Sequence, residues 1–259
     1  MSRILRTSAA TLSLAAVLLG AGCTRGSNTG APSAGAPSGT GLAVTDTRGN
    51  ASRGPCEHPF FPLKPGYKVS YNNRFPGGTA TYTVSVSAGT SNSNMNVRTE
   101  FSTGTVANQT FSCENGTIRA VQYGDVSGSG FSAQTNVQTS SVEGTYLPET
   151  IRVGSSWSQR FNISLNIQSP GMEILGGGDM SGYISEQRRV VAEENVTVPA
   201  GTFRAFKVEK SSDFNLGPGM GGAPILGTEW WVEGKGLVKT VMGTGDSAIV
   251  SEATAITIP

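Results

Sequence analysis

The chain is predicted to fold as an all-β domain, an antiparallel meander curled into an open barrel or half-barrel. Three observations carry that expectation. Apolar and polar residues alternate at period two in several runs. Gly-, Pro- and Asn-bearing turns separate those runs. Beyond the first 22 residues no segment shows a long apolar period of 3.6 residues.

The elements follow in chain order. Tyr82, Val84 and Val86 alternate with Thr81, Thr83 and Ser85. Asn115-Gly116 lies between two strand-like runs and signals a two-residue type I′ hairpin. Trp157, Gln159, Phe161, Ile163, Leu165 and Ile167 alternate with polar residues, and five of these six are apolar. Pro199-Ala200-Gly201 marks a turn between alternating strands, because Pro presets the turn and Gly supplies positive φ. Phe203, Ala205 and Val208 then feed the core. Glu229 to Lys239 reads as strand, Gly234-x-Gly236 turn, strand. The second half is thus expected to hold strands at 157–167, 183–198, 203–215, 228–233 and 237–242. A faint echo links Pro65-Gly66-Tyr67 to Val153-Gly154 before Trp157; recurrent turn chemistry is the simpler account, two similar halves the other.

The start of the chain carries an address. Arg3 and Arg6 precede the apolar run Ala9 to Leu19, and Gly20-Ala21-Gly22-Cys23 follows. This is the pattern of a secretory signal over residues 1–22, and the run is too short to span a bilayer. Leu19, Ala21, Gly22 and Cys23 resemble the lipobox of bacterial lipoproteins, with Gly20 where a leucine is usual. The resemblance implies that Cys23 is lipidated, palmitate among the acyl groups, and becomes the anchor. Two or three acyl chains give firm attachment where one gives marginal binding. Thr24 rather than Asp follows the cysteine, so the expected place is the cell envelope, at the outer membrane in an organism that has one. Residues 23–54 then form a Gly/Ser/Ala/Pro/Thr tether with almost nothing to bury, spanning roughly 30 Å r.m.s.. The folded domain is expected over 55–259.

Composition narrows the chemistry. Removing residues 1–22 takes the formal charge from +1 to −1, and only 14% of residues are charged, so nothing points to a nucleic-acid partner. With Cys23 assigned to lipid, Cys56 and Cys113 remain as an even pair in an oxidising compartment, and a disulfide is the first reading. His58 is the only histidine, so neither a His-based triad nor a metal site assembles from sequence. It reads as a surface residue or a neighbour of the disulfide. No phosphate loop, dinucleotide fingerprint or calcium loop is present. Catalytic residues, metal and cofactors are expected to be none, and the chain reads as a non-enzyme.

Three further segments share a pattern: Phe60 to Tyr71, Val196 to Glu209, and Glu229 to Thr240. They resemble a widespread group of bacterial envelope lipoproteins and secreted domains. That group carries PLxxG before an aromatic strand, a VxVPAGTFxAxxV hairpin and a closing WxxxGxGLVK hairpin. Val69 departs from it, where the pattern usually holds Trp. The resemblance implies a curved antiparallel sheet enclosing an apolar face and no catalytic residues; the motif residues then serve as turns and core aromatics.

Simple hairpins through the second half would place the loops 168–182, 217–227 and 243–247 on one rim. The first two carry Met172, Ile174, Leu175, Met180, Met220, Ile225 and Leu226. Apolar side chains on glycine-rich loops either plug the barrel end or form an adaptable lip over a ligand or partner. By analogy of fold with lipoprotein carriers, the function expected first is binding of an apolar or amphipathic ligand, such as a lipid. The alternative is a structural or protein-interaction module of the envelope with no ligand cavity. An apolar cavity in the interior separates the two.

Overall fold

A computed structural model describes residues 56–91, 93–128, 134–168, 179–217 and 221–259. The strands are β1 (Glu57–His58), β2 (Phe61–Pro62), β3 (Lys68–Phe75), β4 (Gly78–Ala88), β5 (Asn94–Phe101), β6 (Thr105–Glu114), β7 (Thr117–Ala120), β8 (Asp125–Gly128), β9 (Gln134–Gly144), β10 (Ser156–Gln168), β11 (Asp179–Val198), β12 (Gly201–Asn215), β13 (Ile225–Val232), β14 (Gly236–Met242) and β15 (Ile249–Thr257). Among the described residues the only helical turn is a 3₁₀ turn at Gly245–Ser247.

All pairings are antiparallel, and twelve strands lie on one continuous path: β7-β6-β5-β4-β3-β15-β14-β13-β12-β11-β10-β9, with β8 beside β6. The chain's first and last long strands pair with each other, so the seam falls in the middle of the chain, between β7 and β9. There the two ends of the sheet meet at a bridge between Ile118 and Leu147, and Leu147 N–H donates to the Ile118 carbonyl at 3.1 Å. The result is an antiparallel meander nearly closed into a barrel. The predicted Asn115-Gly116 hairpin joins β6 to β7, with positive φ at both residues (50° and 73°) as a type I′ turn requires.

The faint echo in the sequence is a structural repeat. Gly66 N–H donates to the Val86 carbonyl, and Val86 N–H donates to the Tyr67 carbonyl. Gly154, Val190 and Ser155 repeat both bonds. With these glycines matched, the strand registers coincide across β3–β6 and β10–β13. Tyr71 opposite Tyr82 corresponds to Gln159 opposite Glu186. Val97 opposite Gln109 corresponds to Val208 opposite Glu229. The barrel is thus two six-stranded halves, β15 with β3–β7 and β9–β14. Recurrent turn chemistry alone, the simpler account from sequence, does not explain coincident registers. Val69 has Trp157 as its equivalent, so the tryptophan missing from the first half stands in the second.

The β1–β2 hairpin closes one barrel end. Phe61 packs against Phe111, Tyr146 and Trp231, with ring centroids 5.6, 5.7 and 6.1 Å away. Three ties hold it. Cys56 and Cys113 form a disulfide across 57 residues of sequence, a loop whose closure contributes about 4 kcal/mol in the chain-entropy account. His58 Nε2 lies 2.8 Å from the Pro148 carbonyl, while its Nδ1 accepts from Phe60 N–H. Gly234 N–H donates to the Pro59 carbonyl. The histidine is buried, as a structural strut rather than a base facing solvent.

The Gly-x-Gly turn between β13 and β14 has a steric reason. Gly236 has φ of 87°, and a Cβ there would lie 2.5 Å from Tyr67 Oη. That hydroxyl donates to the Lys235 carbonyl at 2.6 Å, and Tyr71 Oη donates to the Leu237 carbonyl at 2.6 Å. Tyr67, just before β3, and Tyr71 within it thereby fix the start of β14.

Candidate functional site: an interior cavity with a charged wall

Between the hairpin plug and the opposite rim lies a cavity of about 290 Å³. Its apolar lining includes Val97, Phe161, Ile184, Phe214, Leu237 and Val241. Its polar lining is concentrated on β11, β12 and β13, in Glu186, Arg188, Lys210 and Glu229. Strand periodicity puts them there. Ile184, Glu186, Arg188 and Val190 share one face of β11, and Val208 and Lys210 share the facing side of β12.

Arg188 is 3% exposed and Glu229 5%. Arg188 Nε donates to Glu229 Oε2 at 3.1 Å, and Nη2 donates to Glu186 Oε2 at 2.9 Å. Lys210 Nζ pairs with Glu186 Oε1, and lies 3.7 Å from Glu229 Oε1. Trp231 Nε1–H donates to Glu229 Oε2 at 2.9 Å. The guanidinium sits over the Tyr146 ring, 5.1 Å from its centroid. Burial opposes ionisation of Glu186 most strongly, yet Arg188 and then Lys210 outweigh it and hold the carboxyl at about 2. Burial likewise opposes ionisation of Glu229, and the same two cations lower it. Arg188 is raised further above its ordinary range, since the two carboxylates overcome its burial. Both carboxylates and the guanidinium are therefore held in their charged forms at neutral pH.

Two buried side chains beside it keep open hydrogen-bonding capacity. Arg188 Nη1 and both amide atoms of Gln159 have no partner among the described residues. Gln159, 1% exposed, is the direct cross-strand neighbour of Glu186.

The first half of the barrel builds the same interior positions without charge. By register, Glu186, Arg188, Lys210 and Glu229 correspond to Tyr82, Val84, Thr99 and Gln109. There Tyr71 stacks on Tyr82 at 4.7 Å, and Tyr82 meets Phe101 at 5.2 Å. Burial pushes Tyr82 up to about 12, an interaction with Ser251 only partly offsetting it, so this wall stays neutral. The fold does not require ions at these positions.

Of the residues expected on the rim, Ile225 lines the cavity, while Leu226 points outward, 60% exposed. Both belong to strand β13, and Met180 to strand β11, opposite Leu165. Their expected placement in loops is thus corrected: the strands run further toward the rim than the alternation alone indicates, and period two sends Ile225 and Leu226 to opposite faces. The ends of β10, β12 and β14 do lie at one end of the barrel, as the hairpin argument expects. Cys23, Met172, Ile174, Leu175 and Met220 lie outside the described residues. The sequence reading missed Glu186, Arg188, Lys210, Glu229 and Gln159. Their signal is charge inside an apolar period-two register, as in Ile184-x-Glu186-x-Arg188-x-Val190. Among the described residues no group of three His, Cys, Asp or Glu is placed to hold a metal ion.

A family model described as DUF3108-like matches residues 77–242, more than half of the sequence and the whole of the charged wall. The chain belongs to the DUF3108-like family. No curated protein matches it at a significant level. Two crystal structures are similar to this DUF3108-like chain. One is from Bacteroides fragilis and is provisionally described as an exported protein with a YmcC-like fold. It is 18% identical, with a TM-score of 0.45, and covers 77% of this chain and 99% of its own. The other is from Parabacteroides distasonis and is provisionally described as a lipoprotein. It is 16% identical, with a TM-score of 0.45, and covers 76% of this chain and 98% of its own.

Proposed function

We propose that this DUF3108-like barrel is a non-catalytic binding protein of the cell envelope, holding a small amphipathic ligand in its interior and anchored through lipidated Cys23 and the 24–54 tether. The observation that carries the reading is the cavity of about 290 Å³, largely apolar with an ionic cluster on one wall. Small-molecule sites are typically concave, largely apolar and equipped with a few oriented polar groups, at volumes from about 300 Å³ upward. A purely structural barrel gains little from a buried ion cluster, because desolvation of the charges offsets their attraction. The uncharged first half supports the same conclusion.

The test is titration with the neutral fluorophore N-phenyl-1-naphthylamine, comparing the wild type with Ala107→Trp. Ala107 lines the cavity, and an indole there fills it. Saturable binding in the wild type, lost in Ala107→Trp at an unchanged melting temperature, supports the reading. Absence of saturable binding in the wild type refutes it in favour of the structural module.

A further inference from the structure

Resting on that reading, we infer that the ligand presents an uncharged hydrogen-bond acceptor, a carbonyl of an ester, ketone or amide, to Arg188 Nη1. An ionised head does not fit. Three features of the cavity lead to this chemistry.

The guanidinium is the first. It carries donors and no acceptor. Nε and Nη2 are occupied by Glu229 and Glu186, while Nη1 is buried and has no partner among the described residues, on a residue that lines the cavity. What is missing at this point is an acceptor.

Local charge is the second. The charged side chains on the inward faces are Glu186 and Glu229 against Arg188 and Lys210, a balanced set. Asp213 lies on the opposite face of β12 from Lys210 and Phe214, where the Tyr183 hydroxyl donates to it at 3.2 Å. A carboxylate or phosphate head would add an uncompensated anion to a low-dielectric space whose charges already balance, which disfavours it. An ammonium head would meet carboxylates already engaged by Arg188 and Lys210, and would bring donors to an atom that is itself a donor. A neutral carbonyl satisfies Nη1 and disturbs neither ion pair.

The third is the remainder of the lining. Val97, Phe161, Ile184, Phe214 and Leu237 offer an apolar wall, and the volume is that of about ten water molecules. An alkyl chain of medium length bearing one carbonyl matches it better than a full-length phospholipid.

Isothermal titration at pH 7 with methyl octanoate, octanoate, octylammonium and octane tests the assignment. Methyl octanoate is expected to bind about tenfold or more tightly than either ion and more tightly than octane. Arg188→Met should bring the ester down to the affinity of octane. Because that variant leaves carboxylates without their cation, Glu186→Gln is the second arm. It removes one of the two interior negative charges and leaves a cation in excess, and octanoate should gain severalfold relative to the ester. If octanoate or octylammonium equals the ester in the wild type, or if Glu186→Gln leaves the preference unchanged, the inference is overturned while ligand binding stands. If none of the four binds, the proposed function itself fails.

Discussion

Arg188 on β11 and Lys210 on β12 are direct cross-strand partners, so two cations face each other in the barrel interior. Like charges in that position repel. Here they are reconciled by carboxylates on either side: Glu186 two residues along β11, and Glu229 on β13 opposite Val208. Each carboxylate contacts both cations, so the four side chains act as a unit.

Removing one member should therefore cost more than removing a matched pair. Arg188→Met strands two buried carboxylates with a single lysine, and a loss of about 3–5 kcal/mol is expected. Arg188→Met with Glu229→Leu leaves Glu186 and Lys210 as a balanced pair and should cost less than the single change. Urea denaturation of both variants checks this. A double variant less stable than Arg188→Met contradicts the coupling.

Acid should unfold the barrel through the same cluster. Glu186 is held at about 2 against an ordinary 4.5. Between these values the unfolded chain binds a proton that the folded chain does not, so stability falls as pH falls through this window. Above about pH 5 the contribution is fully present. The carboxyl alone should account for about 2 kcal/mol between pH 5 and pH 3, and Glu229, also lowered, acts in the same direction. Unfolding free energies at the two pH values should differ more in the wild type than in Glu186→Gln. Equal differences contradict the role assigned to Glu186.

The Gly-x-Gly turn makes a separate prediction. Gly236→Ala forces a Cβ against Tyr67 Oη at a positive φ, and should destabilise by about 1–3 kcal/mol. Tyr67→Phe removes only the hydrogen bond to Lys235 and should cost about 1 kcal/mol. In Gly236→Ala combined with Tyr67→Phe the clash is relieved but the backbone strain is not. Differential scanning fluorimetry should place the double variant at or above Gly236→Ala. A strictly additive loss contradicts the steric account.

Much of the fold is legible because strands write themselves at period two. Tyr82, Val84 and Val86 and the run from Trp157 fall in β4 and β10, and Asn115-Gly116 makes the turn its residue types require. Strand ends were less visible, since Asp179 to Gly182 mixes glycine with polar residues and Ile225 to Gly227 follows directly on a glycine- and proline-bearing run, so both read as loop. The site was legible only in part. Apolar rim residues attract notice by violating loop composition, and Ile225 does reach the cavity. The charged wall hides because Glu186, Arg188, Lys210 and Glu229 are far apart in sequence and each looks like an ordinary exposed strand residue. Only the register of β11, β12 and β13 brings them together. The repeat was faint because the halves keep turns and registers while exchanging Tyr82 for Glu186 and Gln109 for Glu229, which preserves backbone pairing and erases sequence similarity.

Native mass spectrometry of the protein purified from its own membranes tests the central claim most directly. The account predicts a second species, heavier than the lipidated chain by one small neutral molecule, that disappears in Ala107→Trp. A wild-type protein that shows only the mass of the chain and its anchor, with no adduct lost on filling the cavity, would contradict it.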